Sequence, residues 1–251
     1  MIMLPAYFGF AGGVGTLKTG MIAWWAFEEA DNTSARVDSH TNSLDLTNRN
    51  NVSYATGITG GRSGGGPSFY ASDFEESSSK FLERADEALL STGDIDFTFC
   101  CWIKTESQAA NMTIASKENS GSVREWRLMY NQSIDRIRFA TYDSGGAQVG
   151  VVDSDEDGAL TTGWHFVIGW HDSVNNLVGV QVDNQTADTA ATSGVPSDTA
   201  ANFRIGARST TEEDFFDGLI DEAVFFKRLL TDDEKTYLYN SGSGRFYSDL
   251  L

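Results

Sequence analysis

The stretch that decides the fold is FFDGLIDEAVFF, residues 215–226, followed by RLLTDDE at residues 228–234. A glycine interrupts an acidic turn, and an apolar run of strand length follows it. Thr231 and Glu234 then have the spacing of a helix capping box. The two aspartates between them would occupy the first helical turn, where the helix dipole favours anions. We therefore expect a final strand that leads into one short helix.

This helix is the single one that the sequence predicts. Tyr237 and Leu238 would face the core, and Gly242 would end the helix. Elsewhere, apolar and polar residues alternate in short runs between Gly, Asn, Asp and Ser, which is typical of antiparallel strands. The predicted strands are residues 21–27, 44–46, 51–54, 97–104, 126–130, 136–142, 164–170, 178–182, 203–206 and 219–226.

The clearest of these strands is FTFCCWIK, residues 97–104. Its odd-numbered residues share one face and its even-numbered residues share the other. The adjacent Cys100 and Cys101 then point to opposite faces, so a bond between them would be strained. Because these are the two cysteines of the chain, the sequence predicts no disulfide framework.

Composition narrows the class of protein. The chain has 251 residues and three prolines, with no internal repeat and no proline-rich linker, which favours one globular domain. Its 36 acidic and 18 basic residues give a net charge of −18. Nucleic acid is excluded as a partner, because binding phosphates requires a basic surface. The charge suits simple solubility, cation binding or a basic partner.

The first residues are apolar: MIMLPAYFGFAGGVG, residues 1–15. The first cation is Lys18, so the segment is a poor signal peptide, and it is too short to cross a bilayer. No membrane partner is expected. Two readings stay open: a first strand or disordered arm of the domain, or an apolar arm that docks on a partner subunit. We divide the chain into an N-terminal arm, residues 1–20, and one domain, residues 21–251.

Six segments in order resemble the laminin-G-like, concanavalin-A-like jelly rolls. They are MIAWWAFEE at residues 21–29, VDS at 37–39 with LDLT at 44–47, GDIDFTFCCWIK at 93–104, GWHFV at 163–167, FRIG at 203–206 and DGLIDE at 217–222. The resemblance implies an all-β fold: an antiparallel two-sheet jelly-roll sandwich with one short C-terminal helix. Function varies widely on this fold, so the fold alone decides little.

Catalysis is not expected. Asp94 and Asp96 are similar in spacing to the paired acids of a glycoside hydrolase strand, but Thr98 stands where the second essential carboxylate would be. The three histidines, His40, His165 and His171, are scattered along the chain. The HExxH zinc motif is absent.

Calcium is the cofactor that the resemblance implies, held by clustered oxygens. One candidate set pairs Asp221 with Glu28 or Asp31 at the exit of the first strand. The alternative is that Asp221 and Glu222 bind backbone amides or an arginine at the sheet edge.

A second acidic group lies in DSDEDG, residues 153–158, where Asp153, Asp155 and Asp157 alternate as in the first half of an EF-hand loop. Trp164 occupies the twelfth position instead of glutamate, and no helices are predicted on either side. A solvated acidic turn is the alternative reading.

Cations concentrate in one predicted hairpin: Arg124, Arg127, Arg136 and Arg138. With Trp102 as an aromatic contact, they form a candidate site for an acidic saccharide or a carboxylate-rich subunit. The alternative is that these arginines pair with the chain's own acids.

We therefore expect a non-catalytic interaction protein. The leading hypothesis is a structural or decorating component of a virion, on a phage capsid or tail, that contacts other subunits through its N-terminal arm and is oligomeric or bound in an assembly. The alternative is a glycan-binding module or adhesin at an extracellular or cell-surface location, and a glycoside hydrolase is the least favoured.

Overall fold

A computed structural model describes residues 17–58, 69–155, 160–209 and 214–250. Within these ranges the chain forms fifteen strands, one α-helix and three short 3-10 helices. Their bounds are β1 Met21–Trp25, β2 Thr47–Arg49, β3 Ser53–Thr56, β4 Tyr70–Phe74, β5 Phe81–Arg84, β6 Phe97–Thr105, β7 Met112–Glu118, β8 Arg124–Asn131, β9 Arg136–Tyr142, β10 Gln148–Asp153, β11 His165–Asp172, β12 Leu177–Val182, β13 Asp188–Ala191, β14 Phe203–Ile205, β15 Gly218–Phe226, α1 Asp232–Tyr239, and the 3-10 helices Glu76–Ser78, Asn240–Gly242 and Tyr247–Asp249.

The strands form two antiparallel sheets. Sheet 1 has the order β13-β12-β11-β6-β15-β4-β3, and β1 pairs with the second half of β15. Sheet 2 has the order β10-β9-β8-β7-β14-β5-β2. Consecutive strands pair at most of the edges, and distant parts of the chain pair in the middle of each sheet, such as β6 with β15 and β7 with β14, as in a jelly roll. The predicted fold class is confirmed.

Aromatic side chains fill the space between the sheets. Trp126 of sheet 2 stacks on Phe225 of sheet 1, with ring centroids 6.2 Å apart and planes 10° apart. Phe97, Phe99 and Phe203 surround the same indole. All of these side chains are buried, because alternation along each strand turns them toward the facing sheet.

A second apolar layer covers the outer face of sheet 1. Trp102 stacks on Tyr239, the last residue of α1, with centroids 5.8 Å apart. Leu238 packs into this layer, and so does Leu250 near the chain end. The helix therefore contacts the outside of sheet 1, and not the space between the sheets. As alternation predicts, Cys100 belongs to this layer and Cys101 to the interior.

The helix begins as predicted and ends earlier. Thr231 and Glu234 form the reciprocal capping box. The terminating left-handed residue is Asn240, with φ 48°, and not Gly242. Asparagine tolerates this conformation well enough to end a helix.

Two strand predictions shift in the structure. Residues 44–46 are not a strand, because Leu46 makes an isolated bridge with Arg36 and β2 begins one residue later. The strand predicted at residues 51–54 is β3, Ser53–Thr56. Of the N-terminal arm, residues 17–20 form a described turn, and Arg228 donates hydrogen bonds to the carbonyls of Leu17 and Thr19 at 3.3 and 2.6 Å. Residues 1–16 lie outside the described ranges, so the arm stays a prediction.

Gly218 shows why glycine interrupts the decisive stretch. It has φ +134°, and a Cβ there would lie 2.2 Å from the carbonyl oxygen of Lys104 on β6. Gly218→Ala is therefore expected to lower the free energy of unfolding by about 2–4 kcal/mol in urea titrations. Gly121 has φ +74° and no neighbouring atom within 4 Å of where a Cβ would lie, so it is the control and Gly121→Ala is expected to lose about 1 kcal/mol. Equal losses at the two positions would contradict the close approach.

Candidate functional site

The arginines of the β8–β9 hairpin lie on the outer face of sheet 2. Trp126 and Leu128 point into the interior, so Arg127 between them points outward. Arg138 shares this face, because its register partner is Met129. The helix α1 packs on sheet 1 instead, so this face of sheet 2 has no α-helical layer within the described residues.

Glu118, the last residue of β7, lies at the centre of a group of cations. Its carboxylate is fully buried and lies 3.3 Å from Arg124 Nε, 3.8 Å from Arg127 Nε and 3.6 Å from Arg208 Nε. Neither carboxylate oxygen makes a hydrogen bond, and neither does the Nε of Arg124 or Arg127. Burial raises the pKa of Glu118, and Arg127 and Arg124 oppose that rise.

Two members of this group come from far along the chain. Arg208 and Asp214 belong to the connection between β14 and β15, of which residues 210–213 lie outside the described ranges. Asp214 Oδ2 lies 3.4 Å from Arg127 Nη1 and 3.5 Å from Arg208 Nη1. The Glu118 cluster is defined here as Glu118, Arg124, Arg127, Arg208 and Asp214.

A β-bulge places the cluster. Lys117 is opposite Trp126 and Glu118 is opposite Arg124, which leaves Glu125 as the extra residue on β8. Arg124 and Arg127 are three residues apart, so on a regular strand without the bulge their side chains would point to opposite faces. The bulge lets both guanidinium groups approach one carboxylate.

The other predicted ligand-binding residues do not join the cluster. Arg138 forms a bidentate pair with Asp153 at 2.7 and 2.8 Å. Arg136 donates to the carbonyl of Asp135 at 2.8 Å. Trp102 is buried on the outer face of sheet 1, beneath Tyr239, so it lies on the other side of the sandwich. Of the sequence-predicted set, the structure brings together Arg124 and Arg127, and they meet the chain's own acids.

The first candidate calcium set is held by amide donors. Both oxygens of buried Asp221 accept backbone N–H groups, from Ile58 and Glu222 at 2.8 Å each. Glu28 accepts the Tyr70 amide at 3.1 Å. Asp31 accepts the amides of its own turn, which lower its pKa to about 2. These carboxylates therefore satisfy backbone groups and do not converge as a ligand set.

Glu222, which the structural alternative groups with Asp221, is a second buried acid at this place. It is buried next to Asp221, occupies the left-handed region with φ 47°, and accepts a hydrogen bond from the Trp24 indole. Burial raises the pKa of Glu222 well above its usual value, and Asp221 raises it further. Burial likewise raises the pKa of Asp221. A β-bulge between residues 221 and 224 places these two adjacent carboxyls below the C-terminal segment.

These raised pKa values predict how stability depends on pH. The folded chain keeps protons that the unfolded chain releases above about pH 4, so the free energy of unfolding falls as pH rises from there toward neutrality. Glu222→Gln retains an acceptor for Trp24 and is expected to reduce the fall between pH 5 and pH 8 by about 1 kcal/mol or more. Denaturant titrations at both pH values measure it, with exposed Glu76→Gln as the control. An unchanged slope in Glu222→Gln would refute the assignment.

The second candidate calcium group is only partly described. Asp153 is committed to Arg138, and Asp157 lies outside the described ranges. The Asp155 amide donates to Asp188 at 2.8 Å. Across the described part of the chain, no group of three or more His, Cys, Asp or Glu side chains is placed to hold a metal ion. The described acidic residues do not form a calcium site by themselves. Calcium binding therefore stays a prediction.

Asp94 and Asp96, which have the spacing of paired glycosidase acids, lie beside structural partners. Asp96 accepts the amide and hydroxyl of Ser173 at 2.8 and 2.7 Å. Asp94 lies 3.8 Å from the buried His171 ring. Thr98 donates its hydroxyl to the carbonyl of Arg228 at 2.9 Å.

A row of Thr161, His165 and Asp183 has the order of a hydrolase triad. Asp183 lies 2.5 Å from His165 Nδ1, and the Thr161 hydroxyl lies 2.8 Å from Nε2. The Thr161 amide also donates to Nε2, at 2.9 Å. A neutral ring nitrogen has one lone pair, so this amide occupies the position that a general base would need. We assign the row to holding the loop before β11 against the turn after β12.

The sequence matches the family described as the concanavalin A-like lectin/glucanases superfamily over residues 77–234. No curated protein matches the sequence. The described residues contain no helix long and apolar enough to span a membrane.

Solved structures with a similar fold share little sequence with this chain. The binding domain of Paraclostridial Mosquitocidal Protein 1 has a TM-score of 0.68 at 10% identity, covering 89% of this chain and 52% of that one. The botulinum neurotoxin serotype D binding domain has a TM-score of 0.62 at 14% identity, covering 88% and 51%. This chain thus spans about half the length of these toxin domains. Domain 4 of AbnA, an extracellular arabinanase of Geobacillus stearothermophilus solved with arabinotriose, has a TM-score of 0.52 at 17% identity, covering 86% and 97%.

Proposed function

This chain belongs to the concanavalin A-like lectin/glucanases superfamily, and we propose that it is a non-catalytic module that binds surface glycans. The proposed binding surface is the outer face of sheet 2. Its location would be extracellular or at the surface of a cell or virion.

The observation that carries the proposal is the contrast between the two outer faces. On sheet 1, Trp102 and Trp170 are buried below α1 and the C-terminal segment. On sheet 2, the side chains of Arg124, Arg127 and Arg208 stay 24%, 11% and 22% exposed around a buried carboxylate. Polar groups fixed in place on a rigid sheet are well suited to recognising hydroxyl-rich ligands.

Similar folds support the same class of function. The similar structures above are toxin binding domains and an arabinanase domain in complex with arabinotriose. The absence of catalysis is proposed because structural hydrogen bonds engage Asp96 and the Thr161–His165–Asp183 row. Asp94 lies beside the buried His171 ring and, among the described residues, has no second carboxylate placed to act with it.

A glycan array tests the proposal directly. The full chain should bind a defined subset of glycans and leave them uncleaved after prolonged incubation. Parallel arrays with calcium and with EDTA test the calcium prediction, since a calcium-bridged ligand would be lost in EDTA. An array without hits in either condition would refute glycan binding, and release of shorter saccharides would refute the non-catalytic assignment.

A second candidate function is assembly into a larger particle, such as a phage capsid or tail. The specific observation is an apolar rim at the end of the sandwich where the described chain begins. Ile95 is 37% exposed and Val174 is 78% exposed, and hydrogen bonds between Asp96 and Ser173 hold their loops together. Thr98 binds Arg228, which in turn binds the carbonyl of Leu17, so the apolar residues 1–16 join the chain near this rim.

Deleting residues 1–16 tests the assembly candidate. If this segment docks on a neighbouring subunit, the full chain should be oligomeric in light scattering at micromolar concentration and the shortened chain monomeric. A Val174→Ser variant of the full chain separates the rim from the segment and should weaken the oligomer. A full chain that is monomeric at all concentrations would contradict self-assembly.

A further inference from the structure

Lys117 is held against two carboxylates inside the protein. Its Nζ lies 2.6 Å from Glu125 Oε1 and 2.7 Å from Asp86 Oδ1, and the side chains of Lys117 and Glu125 are fully buried. The carbonyls of Thr199 and Ala201 accept hydrogen bonds from the same nitrogen at 3.2 and 3.0 Å. The amine therefore has four acceptors for three hydrogens, and a carboxyl carbon lies one bond beyond two of them.

From these contacts we propose that Lys117 and Asp86 condense into an amide, an isopeptide bond between their side chains, with Glu125 as the group that moves the protons. The bond would join the loop after β5 to the end of β7, across β14, which lies between these two strands in sheet 2. This inference goes beyond the proposed function and does not depend on it, because the reaction needs no ligand and happens once in each chain.

The reaction balances without an added reagent. The Lys117 ammonium passes one proton through Glu125 to Asp86, which leaves a neutral amine beside a neutral carboxylic acid. The Nζ lone pair attacks Cγ of Asp86, and the nitrogen–carbon bond forms as the carbonyl π bond opens. Glu125 then takes a second proton from the nitrogen and gives it to the departing hydroxyl, so a carbon–oxygen bond breaks and water leaves. One ammonium and one carboxylate thus become one amide and one water, and Glu125 ends as a carboxylate.

Hydrogen bonds and burial give the two carboxyl groups different roles. Glu125 Oε2 accepts the amide and hydroxyl of Thr92 at 3.0 and 2.8 Å, and Oε1 accepts those of Thr199 at 3.0 and 3.3 Å. These four donors fix the Glu125 carboxyl group beside the amine, which suits a group that transfers protons. Asp86 has a side chain that is 39% exposed, so water formed at its carboxyl carbon has a way out, which the fully buried Glu125 lacks.

Burial favours the amide over the ion pair. Lys117 is opposite Trp126 on β8 and Phe203 on β14, and both aromatic residues belong to the interior between the sheets. Charges among apolar side chains are costly, and the amide product removes one positive and one negative charge. The fold also holds the amine and the carboxyl group in contact, and well-oriented intramolecular reactions reach effective molarities of about 10⁵–10⁸ M. Two groups that do not condense in dilute solution can therefore condense here.

Mass spectrometry of the purified full chain under denaturing conditions tests the bond. An ion pair leaves the intact mass unchanged, whereas the isopeptide bond lowers it by the mass of one water. A tryptic digest should then contain the peptides of Asp86 and Lys117 joined together. Lys117→Met and Asp86→Ala should each have the full mass calculated from their sequences. Lys235→Met is the matched control, because Lys235 also pairs with an aspartate, Asp232 at 3.2 Å, but that side chain is 96% exposed. This variant should still lack one water.

Glu125→Gln tests the proton transfer. Glutamine keeps the size of the side chain but cannot carry the protons, so the folded variant should close about 100-fold more slowly or keep its full mass. If circular dichroism shows that this variant does not fold, Asp86→Asn provides the second test. Its side-chain amide would release ammonia in place of water, so the folded chain should lack the mass of one ammonia.

Two results would overturn the proposal. The first is a folded wild-type chain that has its full calculated mass, since the contacts would then form an ion pair alone. The second is a missing water that maps to peptides other than those of Asp86 and Lys117, or that is still missing in Lys117→Met. Glycan binding would stand in either case.

Discussion

Replacing Lys117 with methionine is expected to lower the free energy of unfolding by about 3–5 kcal/mol, the range for removing one partner of a buried ion pair. Lys117 is fully buried, and its Nζ donates to Glu125 at 2.6 Å and to Asp86 at 2.7 Å. It also donates to the carbonyls of Thr199 and Ala201 at 3.2 and 3.0 Å. Methionine fills similar space but leaves the buried Glu125 carboxylate without its cation. Urea titrations at neutral pH measure the loss.

Two further variants separate charge from packing at this site. Lys117→Met combined with Glu125→Gln removes the unpaired buried charge and is expected to recover about 1 kcal/mol or more. Lys235→Met is the control, because Lys235 is also largely buried but its partner Asp232 has a side chain that is 96% exposed, so the substitution leaves no buried carboxylate without a cation. Its expected loss is about 1 kcal/mol. A Lys117→Met variant no less stable than Lys235→Met would show that Lys117 is not buried as described.

Replacing Trp126 with alanine is expected to cost about 3–5 kcal/mol, as for other large-to-small changes in protein cores. This indole lies between the sheets, stacked on Phe225 and flanked by Phe97, Phe139 and Phe203. A cavity there would remove contacts from both sheets at once. Thermal and urea denaturation of the purified variant measure the loss.

The control is Trp126→Phe. Trp126 Nε1 is buried without a hydrogen-bond partner, so phenylalanine removes a polar group that the interior does not satisfy. Phenylalanine keeps one ring in place and leaves a smaller gap than alanine, so the expected loss is about 1–2 kcal/mol. If alanine and phenylalanine destabilise equally, the indole does not act as the packing centre between the sheets.

Much of the fold could be predicted because several strands alternate in the simple two-residue pattern. Residues 97–104, 136–142 and 164–170 show this alternation, and the structure confirms them as β6, β9 and β11 with small changes at their ends. The capping box likewise predicts α1, since its hydrogen bonds join residues three positions apart in the sequence. The C-cap was missed because Asn240 and Gly242 are both able to take the left-handed conformation.

Other strands do not show the alternation of apolar and polar residues in the sequence. β7, MTIASKE, ends in a lysine and a glutamate that look solvent-exposed in sequence but are both fully buried. Their burial depends on Glu125 across a bulge and on arginines from β8 and the β14–β15 connection. The two-residue pattern does not show where one strand carries an extra residue. Charged residues beside such a bulge are therefore predicted to lie in a loop.

The candidate site could be predicted only in part, because some of its residues meet through the strand order and not through a local sequence pattern. Arg124 and Arg127 stood out because they are cations in an acidic chain. Glu118 and Arg208 could not be selected, because their proximity arises from the order of strands in sheet 2. Trp102 was selected as an aromatic, but alternation does not say which outer face a helix will cover. Glu222 was grouped with Asp221 as a structural acid, but the bulge that turns it below the C-terminal segment could not be predicted.

A crystal structure of the full chain with the saccharide that binds most tightly on the array tests the central claim most directly. The account predicts the sugar on the outer face of sheet 2. A saccharide seated on the helix-covered side of sheet 1, or at an end of the sandwich away from Glu118, would contradict it.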